Sequence, residues 1–69
     1  MKEEMTIDLK NAIEFWRRIN SQTDHYAQFF ANEWQTRVSV GQIINGIKQR
    51  TLYTRYFYES GNYHDSTEG

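Results

Sequence analysis

At 69 residues the chain holds one domain at most, and a domain this small buries only about 60% of the surface its unfolded chain exposes. The absence of Cys excludes disulfide staples and fits a reducing compartment, and His25 and His64 are too few and too far apart for a zinc site. Eight basic against nine acidic groups give a net charge of −1, which excludes a polybasic arm, and no apolar run approaches the roughly 18 residues of a membrane span.

The charge is unevenly spread. Residues 1–35 carry four basic and six acidic groups, residues 36–59 carry Arg37, Lys48, Arg50 and Arg55 against Glu59, and residues 60–69 carry Asp65 and Glu68. The middle is therefore mildly basic. The charged start, Met1-Lys2-Glu3-Glu4-Met5, leads into no apolar segment, so no secretory leader is expected. Two Trp, five Tyr and four Phe are many for so small a core, and such residues are enriched at interfaces.

In chain order, Thr6 is a candidate N-cap with Asp8 in the first turn. Leu9, Ala12, Ile13, Trp16 and Ile19 are spaced for one helical face, and Thr23, Tyr26, Ala27, Phe30 and Trp34 continue it in phase. This predicts one long helix over about 7–35, bent near 20–24. The alternative breaks the chain there, with Ser21 capping a second helix. Ser39 with Gln42 reads as a capping box, starting a helix from 40 towards 58. The Tyr, Phe and Thr residues between 51 and 58 also favour strands, so a short hairpin competes there. Residues 60–69 read as a flexible tail.

The expectation is thus an all-α single domain over 1–69: a helical hairpin of one long and one shorter helix, dimerising into a small bundle. On the second helix, Val40, Ile43, Ile44 and Ile47 form one arc, and Leu52, Tyr53, Tyr56 and Phe57 lie nearly opposite. The Ile arc can pack on the first helix. The aromatic arc then joins the same core through a bend at Arg50–Thr51, meets a second copy, or meets a different protein. Candidate partner-binding anchors are Tyr53, Tyr56, Phe57, Arg55, Trp34, Arg17 and Arg18.

Ser21, Asp24 and His25 lie close in sequence, with Glu14 and Glu33 as further carboxylates. A two-helix hairpin offers little concavity for an oriented base and oxyanion site, so no catalysis is expected. Gly41 and Gly46 form no phosphate-binding motif, and no cofactor or metal is expected. A DNA-binding alternative places a helix-turn-helix on residues 24–35 and 39–50, with Ser39, Gln42, Asn45, Lys48 and Gln49 on a recognition helix. Against it stand the missing turn Gly and the acidic overall charge.

The Leu9-Lys10-Asn11-Ala12-Ile13-Glu14-Phe15-Trp16 stretch, the chain length and the helical character resemble small phage-encoded accessory proteins of the anti-quorum-sensing type. The resemblance implies a dimeric helical inhibitor in the host cell cytoplasm. Its implied partners are a quorum-sensing transcription activator of the host and the pilus-assembly ATPase. It carries over no functional residue, because no motif position matches one by one.

Overall fold

The structure, a computed structural model, describes residues 5–67. These residues form one helix, α1 (Ile7–Asn20), followed by four strands: β1 (His25–Ala31), β2 (Thr36–Ile44), β3 (Ile47–Phe57) and β4 (Tyr63–Thr67). The strands pair antiparallel in the order β1-β2-β3-β4. The helix lies across one face of this meander, chiefly against β1 and β2. No helix among the described residues is long and apolar enough to cross a membrane.

The helix begins where its composition directs. Thr6 is extended at the cap position (φ −72°, ψ 162°), Asp8 sits in the first turn, and Arg17 and Arg18 occupy the last. Acid at the start and base at the end both complement the helix dipole. Ala12 and Ile19 are buried, and Phe15 and Trp16 pack against the same core. The helix stops at Asn20, because Ser21 turns its hydroxyl onto the Arg18 carbonyl (2.7 Å). Such local bonds let Ser, Thr and Asp compete with helical pairing.

The all-α expectation is overturned, and with it the two-helix hairpin and the helical dimer bundle. The long helix ends fifteen residues before the predicted terminus at 35. The predicted helix over 40–58 is instead β2 and β3, joined at Asn45-Gly46. These two residues have φ of 53° and 78°, the left-handed pair that a two-residue hairpin turn with the correct twist requires. Ser39, read as an N-cap, lies mid-strand. Of the alternatives for residues 51–58, the strand is the one found. The helix-turn-helix fails for the same reason, since both of its supposed helices are strands. Within the segment 60–69, read as a tail, Tyr63–Thr67 forms β4, and residues 68–69 lie outside the described residues.

The register sorts the side chains. Ala27↔Val40 and Phe29↔Val38 face the helix with Val40↔Tyr53, Val38↔Arg55 and Thr36↔Phe57. The core is Ala12, Ile19, Ala27, Val38, Val40 and Phe57. The alternate residues, Tyr26, Gln28, Phe30, Arg37, Ser39, Thr54 and Tyr56, face the side that no helix covers. A bulge at Leu52 shifts the register between Val40↔Tyr53 and Gly41↔Thr51 and leaves Leu52 exposed.

Polar bonds tie helix to sheet at both ends of α1: Trp16 and Asn20 bond the Ala27 backbone, and Asp8 bonds Thr36. The Thr36 hydroxyl donates to Asp8 Oδ2 at 2.8 Å, and Thr36 is only 4% exposed. The Thr6 hydroxyl first, then Thr36, hold the Asp8 carboxyl below the ordinary carboxylate value against the opposing effect of burial. Only the Thr36 bond has full hydrogen-bond geometry, and Asp8 Oδ1 is left without a partner. A depressed folded-state pKa stabilises the protein above the ordinary value of 3.8 and loses that contribution as pH falls through the folded value. The stability difference between wild type and Asp8→Asn is therefore expected to shrink as pH drops from about 5 to about 2. Urea titrations of both proteins at a series of pH values check this.

Candidate binding surfaces

The seven sequence-predicted anchors do not come together. Phe57 is in the core, and Tyr53 is half-buried on the helix side of β3. Arg55 points the same way and is engaged within the molecule. Its Nε and Nη2 donate to Asp65 Oδ1 and Oδ2 at 2.7 and 3.0 Å, and its guanidinium lies 3.9 Å from the Tyr63 ring centroid and 4.6 Å from that of Phe15. The Asp65 bond raises the Arg55 pKa further, and burial raises that of the Tyr53 phenol. Tyr56 is on the opposite face. Arg17 and Arg18 lie exposed at the end of α1. Trp34, at 81% exposed, stands in the β1–β2 turn.

That turn is well fixed. Asn32 Oδ1 accepts from the backbone N–H of both Trp34 (2.8 Å) and Gln35 (2.9 Å), and the Asn32 N–H donates to the Gln35 carbonyl. The large apolar indole is thus held out on a rigid backbone. A preorganised aromatic of this kind costs little further entropy on binding.

Beside it runs the open edge of β1. The Ile43 N–H donates to the Asp24 carbonyl, and the Asn32 N–H to that of Gln35, so the even-numbered residues from 24 to 32 bond towards β2. By antiparallel alternation, the backbone groups of Ala27, Phe29 and Ala31 point away from the sheet. Those of Ala27 are met: Asn20 Oδ1 accepts its N–H at 2.9 Å, and Trp16 Nε1 donates to its carbonyl at 3.1 Å. Among the described residues, nothing equivalent meets Phe29 and Ala31. Beyond Ala27, which the helix covers, the edge lacks protection of its own, since His25–Ala31 contains no Lys, no Pro and no bulge. A groove of about 620 Å³ follows it, lined by Trp16, Ala27, Gln28, Phe29, Phe30, Arg37 and Ser39.

The helix-free face has a different character. Phe30, Arg37, Tyr56 and His64 form one row across all four strands, and Gln28, Ser39, Thr54 and Ser66 form the next. The Arg37 guanidinium lies 4.3 Å from the Phe30 ring centroid and donates to Gln35 Oε1. The Ser39 and Thr54 hydroxyls bond each other at 3.2 Å. Further along, Tyr26 lies across Gly41, where a Cβ would overlap its ring. Its hydroxyl donates to the Gln49 carbonyl, and the Lys48 ammonium stands 5.3 Å from its centroid.

The residues once grouped as a candidate catalytic set do not converge on one another. Ser21 bonds to Arg18, while His25 Nδ1 pairs with Asp24 Oδ1 at 3.0 Å on the exposed surface. That imidazole is the main reason the Asp24 carboxyl is held low. Among the described residues, no three His, Cys, Asp or Glu side chains are grouped to hold a metal. Reading the residues as helical missed Phe29, Ala31 and the row through Phe30 and Arg37. Alternation in Thr36-Arg37-Val38-Ser39-Val40 was the signal that could have found that row. Compared with protein-family models, curated proteins and solved structures, the chain shows no match, so geometry alone carries the functional reading.

Proposed function

We propose that this chain is a small protein-binding inhibitor or adaptor, acting in the cytoplasm without catalysis, that takes an extended segment of its partner as a fifth strand along β1. The supporting observation is the open edge at Phe29 and Ala31. Its unpaired N–H and C=O groups lie beside a groove and a fixed, exposed Trp34. Strand addition draws affinity from main-chain hydrogen bonds and specificity from neighbouring side chains. Trp34 and Phe30 are the side chains placed to supply that specificity.

A quorum-sensing transcription activator and the pilus-assembly ATPase, the partners implied by the resemblance to phage proteins, are the first candidates to test. A second copy of the chain is the other occupant of this edge. Binding is expected to slow amide exchange at Phe29 and Ala31. Ala31→Pro removes one outward N–H at a position where an edge strand tolerates Pro, and is expected to weaken the complex about tenfold. Protection that grows with the protein's own concentration assigns the edge to a homodimer. A complex that leaves both amides unprotected overturns the strand-addition reading.

A further inference from the structure

We infer that the helix-free face of the sheet is a binding surface for single-stranded nucleic acid, with Tyr26 and Phe30 as stacking rings and Arg37 and Lys48 as phosphate contacts. This surface adjoins the β1 edge and shares Phe30 and the groove residues Gln28, Arg37 and Ser39 with it, but the inference does not depend on strand addition.

The first observation is charge. Strands β1, β2 and β3 contain no Asp or Glu. Their cations are Arg37, Lys48, Arg50 and Arg55, and among the described residues only Arg55 of these is paired with a carboxylate. The acids among the described residues lie elsewhere: Asp8 and Glu14 on the helix, Asp65 on the helix side of β4, and Asp24, Glu33 and Glu59 in connections. The helix-free face therefore carries Arg37 and Lys48, and none of the carboxylates among the described residues lies on its three longest strands. Such a field attracts a polyanion.

The second observation is the form of that face. Two of these cations sit beside rings of this face: Arg37 at 4.3 Å from the Phe30 centroid, and Lys48 at 5.3 Å from that of Tyr26. The two rings belong to one strand, four residues apart, which is roughly 13 Å at 3.3 Å per residue. Between them lie the exposed Gln28 amide and the half-buried Ser39 hydroxyl, the latter bonded to the buried Thr54. Tyr26 is held by design of the backbone, since only a glycine at 41 leaves room for its ring, and the Gln49 carbonyl holds its hydroxyl. Paired cations and fixed rings on a polar floor suit alternating phosphates and bases, because stacking accepts any base while the cations follow the backbone.

Single strands fit better than duplex. Four strands at about 4.8 Å spacing make a surface wider than the roughly 12 Å major groove, which admits a helix or a two-stranded ribbon. An acidic peptide supplies the charge but not the planar groups for the rings.

The test is fluorescence anisotropy of the intact protein with labelled oligo-dT and oligo-U of about 12 nucleotides, the matching duplex, and a poly-Glu peptide. Both single strands are expected to bind, with the logarithm of the affinity falling linearly in log salt. Arg37→Ala and Lys48→Ala should each lower the salt slope by about 0.7. Phe30→Ala should weaken binding roughly 5- to 150-fold while leaving the slope unchanged. Gly41→Ala, which displaces Tyr26, should weaken it similarly, with circular dichroism confirming that the sheet persists. Ala31→Pro should bind nucleic acid as wild type does, which separates this surface from the β1 edge. Absence of single-strand binding at about 50 mM salt, equal or tighter binding of poly-Glu or duplex, or an unchanged slope in both cation variants would overturn the inference.

Discussion

Phe57→Ala is expected to leave the chain largely unfolded at room temperature. Phe57 is 7% exposed and joins three parts of the molecule. Its ring centroid is 5.9 Å from that of Phe15 on the helix and 6.3 Å from that of Tyr63 on β4, and its backbone pairs with Thr36 of β2. Truncating a buried Phe costs about 3–5 kcal/mol. At 0.05–0.15 kcal/mol per residue, a chain of this length has about 3–10 kcal/mol in total. The neighbouring Tyr56→Ala is expected to cost no more than about 1 kcal/mol, because Tyr56 projects from the opposite face. On a helix, adjacent residues 100° apart would share an aromatic arc, whereas on a strand they face opposite ways. Urea melts followed by circular dichroism therefore test the sheet itself. Similar small losses for the two variants would contradict the placement of Phe57 in the core.

Val38→Ala is expected to cost about 2–3 kcal/mol with the fold retained. Val38 is fully buried at 0% exposure, on β2 between Phe29 of β1 and Arg55 of β3. The change removes two methyl groups at about 0.8 kcal/mol each and leaves a cavity that the rigid sheet around it closes only in part. The adjacent Ser39→Ala should cost about 1 kcal/mol at most, since it removes a single hydroxyl pair with Thr54. Thermal melts of the pair check the contrast. A loss at Ser39 equal to that at Val38 would mean that the sheet buries its other face.

Both contrasts turn on two-residue alternation, and so does the functional reading. The Tyr53, Tyr56 and Phe57 arc that a helix would expose to a partner is divided by the sheet between core and open face. Trp34 alone of the predicted aromatic anchors remains wholly exposed, and it stands at the end of the β1 edge. The edge and the open face meet along β1, where Phe29 supplies backbone groups to one and Phe30 a ring to the other.

The sequence by itself determined α1. Thr6 at the N-cap position, an early Asp8, late Arg17 and Arg18, and apolar residues three and four apart have no comparable reading as a strand. It also determined the aromatic excess and the basic middle segment. The long first helix was misjudged because Tyr26, Ala27, Phe30 and Trp34 continue the helical period, while β1 carries aromatic residues on both faces and shows no clean alternation. The Asn45-Gly46 turn was legible, since this pair between apolar runs is a strong hairpin signal. It was overlooked because Val40, Ile43, Ile44 and Ile47 also fit a helix. Around a two-residue turn, residues three apart become cross-strand partners, as Ile44 and Ile47 are, so the two periods coincide there. Only the tertiary structure decided which strands are edges, which face the helix covers, and that Arg55 is engaged within the protein while Arg37 and Lys48 meet no carboxylate among the described residues. Those outcomes follow from strand order and register, which pair residues far apart in the chain and leave no local periodicity to read.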